Sequence, residues 1–108
     1  MIITEAGMID EAGVYSDTML VVDNDRIIPS LTRLAEAVHS HGCALFGQLF
    51  HLGLEQANDL DGRRPAALGP SGGVSERYHV SGRQMSLAKI QELISKYGAA
   101  AKRMQTAG

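Results

Sequence analysis

The stretch GCALFGQLFHLG, residues 42–53, predicts a buried β-strand that carries a single polar side chain. The apolar run from Cys43 to about Phe50 is nearly continuous, a pattern typical of a parallel sheet that is covered on both faces. Gly42 is well suited to end a preceding helix. Gln48 lies near the carboxyl end of this strand, where another aliphatic residue would be expected, and its amide therefore needs an explanation.

The elements around this strand follow the order strand, helix, strand, helix. We predict a first strand over 1–4 and a first helix over 25–41, where apolar residues recur at helical spacing. A second helix is predicted to begin after Ser86, a good N-cap, and to run to about Thr106. The two strand-to-helix connections are long, about 19 and about 34 residues, which favours a functional role for them. Short turns at one end and long loops at the other are typical of a parallel α/β sheet or barrel.

Composition limits the classes of protein that the chain can represent. The chain has 108 residues, a formal charge of −2 and one cysteine, Cys43. This length allows one domain, and the charge gives no reason to expect a nucleic acid or an anionic membrane as partner. No apolar run approaches the roughly 20 residues of a membrane span, and no secretory signal is visible. We therefore predict a cytoplasmic location.

Gln48 is the candidate binding residue, and two interpretations of it are open. Its amide has both a donor and an acceptor, which suits a ring edge that alternates carbonyl and N–H groups, such as a pyrimidine or a flavin. Alternatively, it is a core glutamine that pairs with backbone. The four histidines do not have the spacing of a metal site. No paired carboxylates or nucleophile–base arrangement can be argued, so we predict no metal site and assign no catalytic residue.

Three stretches, taken together, resemble one family. They are MIITEAG (1–7), LAEAVHSHGCALFGQLFHLG (34–53), and ALGPSG (67–72) followed by RQMSLAKIQELISKYGAAAKRMQTAG (83–108). In this order and spacing they resemble the old yellow enzyme group, also called NADH:flavin oxidoreductases. The group includes 2,4-dienoyl-CoA reductases and trimethylamine dehydrogenase. The resemblance spans nearly the whole chain.

The resemblance implies a (β/α)8 TIM barrel that holds FMN at the carboxyl ends of its strands. The implied activity is hydride transfer from NAD(P)H, through FMN, to an activated alkene or a related small molecule. By position, Gln48 matches the glutamine that hydrogen-bonds the pyrimidine edge of the flavin. Ala6 matches a small residue whose backbone lies against the ring. Residues 1–108 would form a partial FMN-binding domain, about two β-α units (strands two and three with their helices), truncated at both ends.

The chain also departs from the family pattern. Leu54 stands where relatives carry an arginine, and nothing corresponds to the residues that hold substrate or the FMN phosphate. A complete barrel needs about 250 residues, so we expect the isolated chain to be inactive and to require the missing barrel segments or a homo-oligomer. Two alternatives remain open: a non-catalytic truncated fragment or interaction module, and a small ligand-binding α/β domain unrelated to flavin.

Overall fold

Two parallel strands with two helices packed against them make up the main unit of the protein. The computed structural model describes residues 1–10, 18–56 and 66–108. The strands are β1 (Ile2–Met8), β2 (Leu45–Phe50), β3 (Leu68–Gly69), β4 (Gly73–Val74) and β5 (Ser81–Gln84). The helices are α1 (Ile28–His39), which follows a 3₁₀ turn at Asp25–Ile27, and α2 (Leu87–Ala107).

The pairing of β1 with β2 is parallel, and this confirms the predicted α/β arrangement. The predicted first strand was too short, since β1 continues to Met8, where it still pairs with Phe50. The predicted second strand was too long at its start, because β2 begins at Leu45. The long connections leave from the carboxyl ends of both strands, as predicted. The handedness of the crossover between the strands stays a prediction.

A β-bulge interrupts the register of β1. Ile3 pairs with Phe46 and Ala6 with Gln48, so two β1 residues lie opposite one β2 residue between these pairs. One extra residue in a strand moves every later side chain to the other face of the sheet. The bulge therefore decides which β1 residues face the helices and which face away from them.

The contacts on either side of the bulge show this change of face. Thr4 lines a cleft beneath the helices together with Met104. A β-carbon at Gly7 would lie 3.3 Å from both Met104 Cε and Val22 Cγ1, so position 7 also faces the helices. Residues three apart on an unbroken strand face opposite sides. Ala6, next to Gly7, consequently faces away from the helices.

Local capping signals mark the starts of the helices. Asn24 accepts a hydrogen bond from a backbone amide of the 3₁₀ turn, Pro29 lies in the first turn of α1, and Ser86 caps α2. Arg103, one turn before the carboxyl end of α2, donates to Asp25 Oδ1 at 2.7 Å and to the Val22 carbonyl at 3.2 Å. Arg103 thus ties α2 to the segment that precedes α1.

The expected burial of β2 on both faces is wrong for this chain. Both helices pack on one face of the sheet, where a buried cluster forms from Ile9, Val22, Leu31, Leu93, Ala100 and Ala107. On the other face Ile3 is 58% exposed and Phe46 is 53% exposed. Two helices cover only one side of two strands, so the apolar residues of the second side have no cover from the described part of the chain.

The long connection after β2 contains a small second sheet that the sequence analysis did not predict. Its order is β3-β5-β4, with β3 parallel and β4 antiparallel to β5. Leu54 packs onto this sheet, where β-carbons at Gly69 and Gly82 would collide with its side chain. The residue that replaces the family arginine is therefore a packing residue here. Among the described residues, neither helix has the length and apolar character needed to cross a membrane.

Candidate functional site

Ala6 and Gln48 lie side by side at the carboxyl half of the paired strands. They are direct partners in the parallel register of β1 and β2. Residues in parallel register point to the same face, and the carboxyl end of a parallel sheet is where α/β proteins bind ligands. The structure thus brings together the two residues that the sequence analysis chose. Their role in binding stays a prediction.

The side chain of Gln48 is available to a ligand. It is exposed, and among the residues that the structure describes, none hydrogen-bonds its amide oxygen or nitrogen. The alternative of a core glutamine paired with backbone does not fit these observations. The backbone amide of Gln48 is engaged separately, since it donates to Thr4 Oγ1 at 3.1 Å.

The contact of Gly47 with α2 shows that Gln48 faces away from the helices. A β-carbon at Gly47 would overlap Met104 Sδ and would lie 3.0 Å from Met104 Cε. Position 47 therefore faces α2, and alternation along the strand directs Gln48 to the other face. Only glycine allows the helix to approach so closely. Gly47 therefore sets how closely β2 packs against α2.

His51 follows β2 and presents a defined hydrogen-bonding pattern. Its Nδ1 accepts from the backbone N–H of Gly53 at 3.0 Å. Partial burial lowers the pKa of His51 below 6.5, Asp10 opposes this effect, and two lysines of α2 add to it. The imidazole is therefore neutral near pH 7, with its proton on Nε2 as a donor at the carboxyl end of β2.

A cluster of charged residues beside His51 was not predicted from the sequence. Asp10 follows β1, is 8% exposed, and lies 2.6 Å from Lys96 Nζ and 3.9 Å from Lys89 Nζ. The hydrogen bond to Asp10 raises the pKa of Lys96 above 10.5. Glu92 bridges the two lysines from one turn away. The three-and-four spacing of these α2 residues was visible, but their tie to Asp10 required the tertiary structure.

A glycine-rich stretch after β2 has an ordinary structural role. GPSGG (69–73) forms a turn between β3 and β4, and Gly72 and Gly73 adopt positive φ angles of 71° and 131°. The stretch is therefore a plain turn. Within residues 1–10, 18–56 and 66–108, no group of three or more potential ligands could hold a metal ion.

The sequence match decides the family. The model of the NADH:flavin oxidoreductase / NADH oxidase family matches residues 1–108. The chain belongs to this family. The match confirms the predicted resemblance and does not favour either alternative, the non-catalytic module or the domain unrelated to flavin.

Two curated relatives have similar sequences. A metal reductase of Desulforamulus reducens is 37% identical over 101 residues, which are 93% of this chain and 14% of that protein. An NADH:fumarate oxidoreductase of Klebsiella pneumoniae is 30% identical over 109 residues, which cover 99% of this chain and 12% of that protein. The chain thus spans about one seventh or less of the length of these relatives.

Solved structures of the family contain the same fold. The old yellow enzyme homologue from Zymomonas mobilis superposes with a TM-score of 0.81 at 23% identity, over 99% of this chain and 32% of that protein. A 2-naphthoyl-CoA reductase superposes with a TM-score of 0.83 at 20% identity, over 100% of this chain and 18% of that protein. The chain therefore has the fold of part of an old yellow enzyme barrel. Its assignment to two β-α units, strands two and three, stays a prediction.

Proposed function

We propose that this chain supplies part of the FMN site of an oxidoreductase that uses NAD(P)H. The observation that carries the proposal is the exposed, unpartnered amide of Gln48 beside Ala6, among the residues that the structure describes. An amide with a free donor and a free acceptor fits the pyrimidine edge of a flavin. The small side chain at position 6 leaves the backbone of β1 open to a flat ring.

The two residues would hold and orient the cofactor. The Gln48 amide donates to and accepts from the ring edge, and its donor favours negative charge there. Because its side chain is small, Ala6 would let the ring lie close to the backbone of β1. When bound, FMN supplies the hydride transfer, and the protein supplies placement and electrostatics. His51, with its Nε2 proton, offers a further donor at the same end of the sheet.

The substrate class that we propose is an activated alkene, with NAD(P)H as electron donor. Support comes from the name of the fumarate-reducing relative, because fumarate has a C=C bond conjugated with carboxyl groups. A second relative, from Vibrio harveyi, is an NADH:acrylate oxidoreductase, 27% identical over 108 residues. The metal reductase provides another acceptor class to test.

The proposed domain is a partial FMN barrel over residues 1–108, completed by further barrel segments or by another copy. The exposed apolar residues on the face of the sheet away from the helices, Ile3 and Phe46, support this proposal. Inactivity of these residues in isolation, a cytoplasmic location, a small-molecule substrate and the absence of nucleic-acid or membrane partners stay predictions.

The first experiment tests whether flavin binds at all. The protein is expressed from its complete reading frame, and bound flavin is identified by absorbance and chromatography after release. Oxidation of NADH and NADPH is then followed with an enone, fumarate, acrylate, ferric iron or oxygen as acceptor. We expect bound FMN and alkene-dependent oxidation. Protein that binds no flavin and oxidises neither nucleotide contradicts the proposal.

The second experiment tests Gln48 itself. Gln48→Leu removes donor and acceptor, so we expect FMN to bind about five- to 150-fold more weakly, the effect of leaving one polar edge unpaired. The reduction potential should fall, because the donor to the ring is lost. Gln91→Leu, at an exposed position of α2, is the matched control and should change neither value. Equal FMN affinity in wild type and Gln48→Leu would assign the amide no part in binding.

A further inference from the structure

The hydroxyl of Thr4 holds the backbone of Gln48 at the β-bulge. Gln48 N donates to Thr4 Oγ1 at 3.1 Å, and Thr4 Oγ1 donates in turn to the Glu5 carbonyl at 3.0 Å. The hydroxyl therefore bonds both strands at the point where the register of β1 shifts. Side-chain to backbone hydrogen bonds of this kind can define a local backbone geometry.

Thr4 lies on the side of the sheet that the helices cover. Thr4 is half-buried and lines a cleft whose other walls are apolar, among them Leu31, Leu45 and Met104. The hydrogen bond itself is exposed to solvent, so its net strength is that of an ordinary neutral hydrogen bond. The cleft lies on the helix side of the sheet, away from the face that Gln48 presents. Thr4 therefore acts on Gln48 from behind and does not touch a ligand there.

We propose that Thr4 is a positioning residue for the candidate flavin site, and that its hydroxyl sets where the Gln48 amide lies. The inference rests on the proposed function for its link to FMN, whereas the hydrogen bond itself does not. The bulge puts Ala6 on the ligand face, and the Thr4 hydroxyl locks the offset that brings Ala6 opposite Gln48. A site held to within a fraction of an ångström needs such support from behind.

Two substitutions separate the hydroxyl from the methyl group of Thr4. Thr4→Val keeps the branched shape, which suits a strand, and removes the acceptor. It should leave the thermal midpoint close to that of wild type, because valine also fits the apolar cleft. Thr4→Ser keeps the acceptor and loses the methyl group, so its midpoint should fall while the geometry of Gln48 remains. Thr4→Ser should therefore be the less stable of the two variants. Thr4→Val should be the variant in which the position of Gln48 is disturbed.

Positioning is measured in two ways on the protein from its complete reading frame. Hydrogen exchange with mass spectrometry follows peptides that cover β2, where Thr4→Val should speed exchange of the Gln48 amide about two- to tenfold, the size of one neutral hydrogen bond. FMN affinity should weaken by a similar factor in Thr4→Val, and the reduction potential should fall. Thr4→Ser should match wild type in exchange, affinity and potential.

The results separate failure of this inference from failure of the proposed function. If wild type binds no FMN, the proposed function is wrong, and the exchange data alone judge the role of Thr4. Unchanged exchange at Gln48 in Thr4→Val overturns the inference. So does a loss of protection in folded Thr4→Ser, which still has the hydroxyl; this second variant keeps the test decisive if Thr4→Val does not fold. Changed exchange with unchanged affinity and potential also refutes a role in positioning the site.

Discussion

Substitution of Gly47 by alanine tests whether close packing behind the site sets the position of the strand. The new β-carbon would overlap Met104 Sδ and would come within 3.0 Å of Cε and 3.2 Å of Cγ. Met104 is flexible and half-buried, so it can rotate away, but then it loses its contacts with the sheet. Overpacking of this kind costs about 1–3 kcal/mol. Replacing glycine in a strand returns about 0.5–1 kcal/mol of conformational entropy. The middle values of the two ranges give a net loss of about 1 kcal/mol.

A double-mutant cycle identifies Met104 as the cause. In a Met104→Ala background nothing opposes the new β-carbon, so Gly47→Ala should be neutral or slightly stabilising. The coupling energy between the two positions should then be about 2 kcal/mol. Gly98→Ala is the matched control, because a β-carbon there meets nothing within 4 Å in the middle of α2. It should stabilise the protein by about 0.8–1 kcal/mol, the difference in helix propensity.

The assay is urea-induced unfolding followed by far-UV circular dichroism at one fixed protein concentration. Each variant is compared with wild type through its midpoint and slope, since a changed slope would mean a changed native or denatured state. Two results would refute the reasoning. One is a Gly47→Ala protein as stable as wild type while Met104 is present. The other is an equal effect of Gly47→Ala in both Met104 backgrounds.

Three further predictions concern the second sheet, pH and cofactor binding. Gly82→Ala places a β-carbon against Leu54 and 3.1 Å from the Ala67 carbonyl oxygen, so it should cost about 1–3 kcal/mol in urea unfolding. The cost should be smaller in a Leu54→Ala background, where only the contact with Ala67 remains. The lowered pKa of His51 means that the unfolded state binds more protons just below pH 6.5, so stability should fall as pH falls through that region. His51→Asn, which keeps an acceptor for Gly53, should flatten a plot of thermal midpoint against pH. Residues 1–108 alone should not bind FMN tightly, because one amide and a stacking surface must offset an association cost of at least about 4 kcal/mol; saturable micromolar quenching of FMN fluorescence by a monomer would contradict this.

The sequence by itself determined the elements and the choice of site residues. Helical spacing and N-cap residues located α1 and α2 to within a few residues, because caps and periodicity are local signals. The apolar run that ends at Phe50 predicted a parallel strand, and the conspicuous amide in it selected Gln48. Resemblance to the flavin oxidoreductases then selected Ala6. The family match over the whole chain confirmed the resemblance.

Only the tertiary structure decided which face each residue takes. The β-bulge in β1 arises from pairing with β2, and no local pattern in MIITEAG predicts it. Burial of β2 on both faces was predicted from its composition and was wrong here, since the helices cover one side only. The bond from Gln48 to Thr4 and the pair of Asp10 with Lys96 join residues 44 and 86 positions apart. Such contacts depend on how the strands and helices pack together. Local sequence patterns do not show which residues far apart in the chain come into contact.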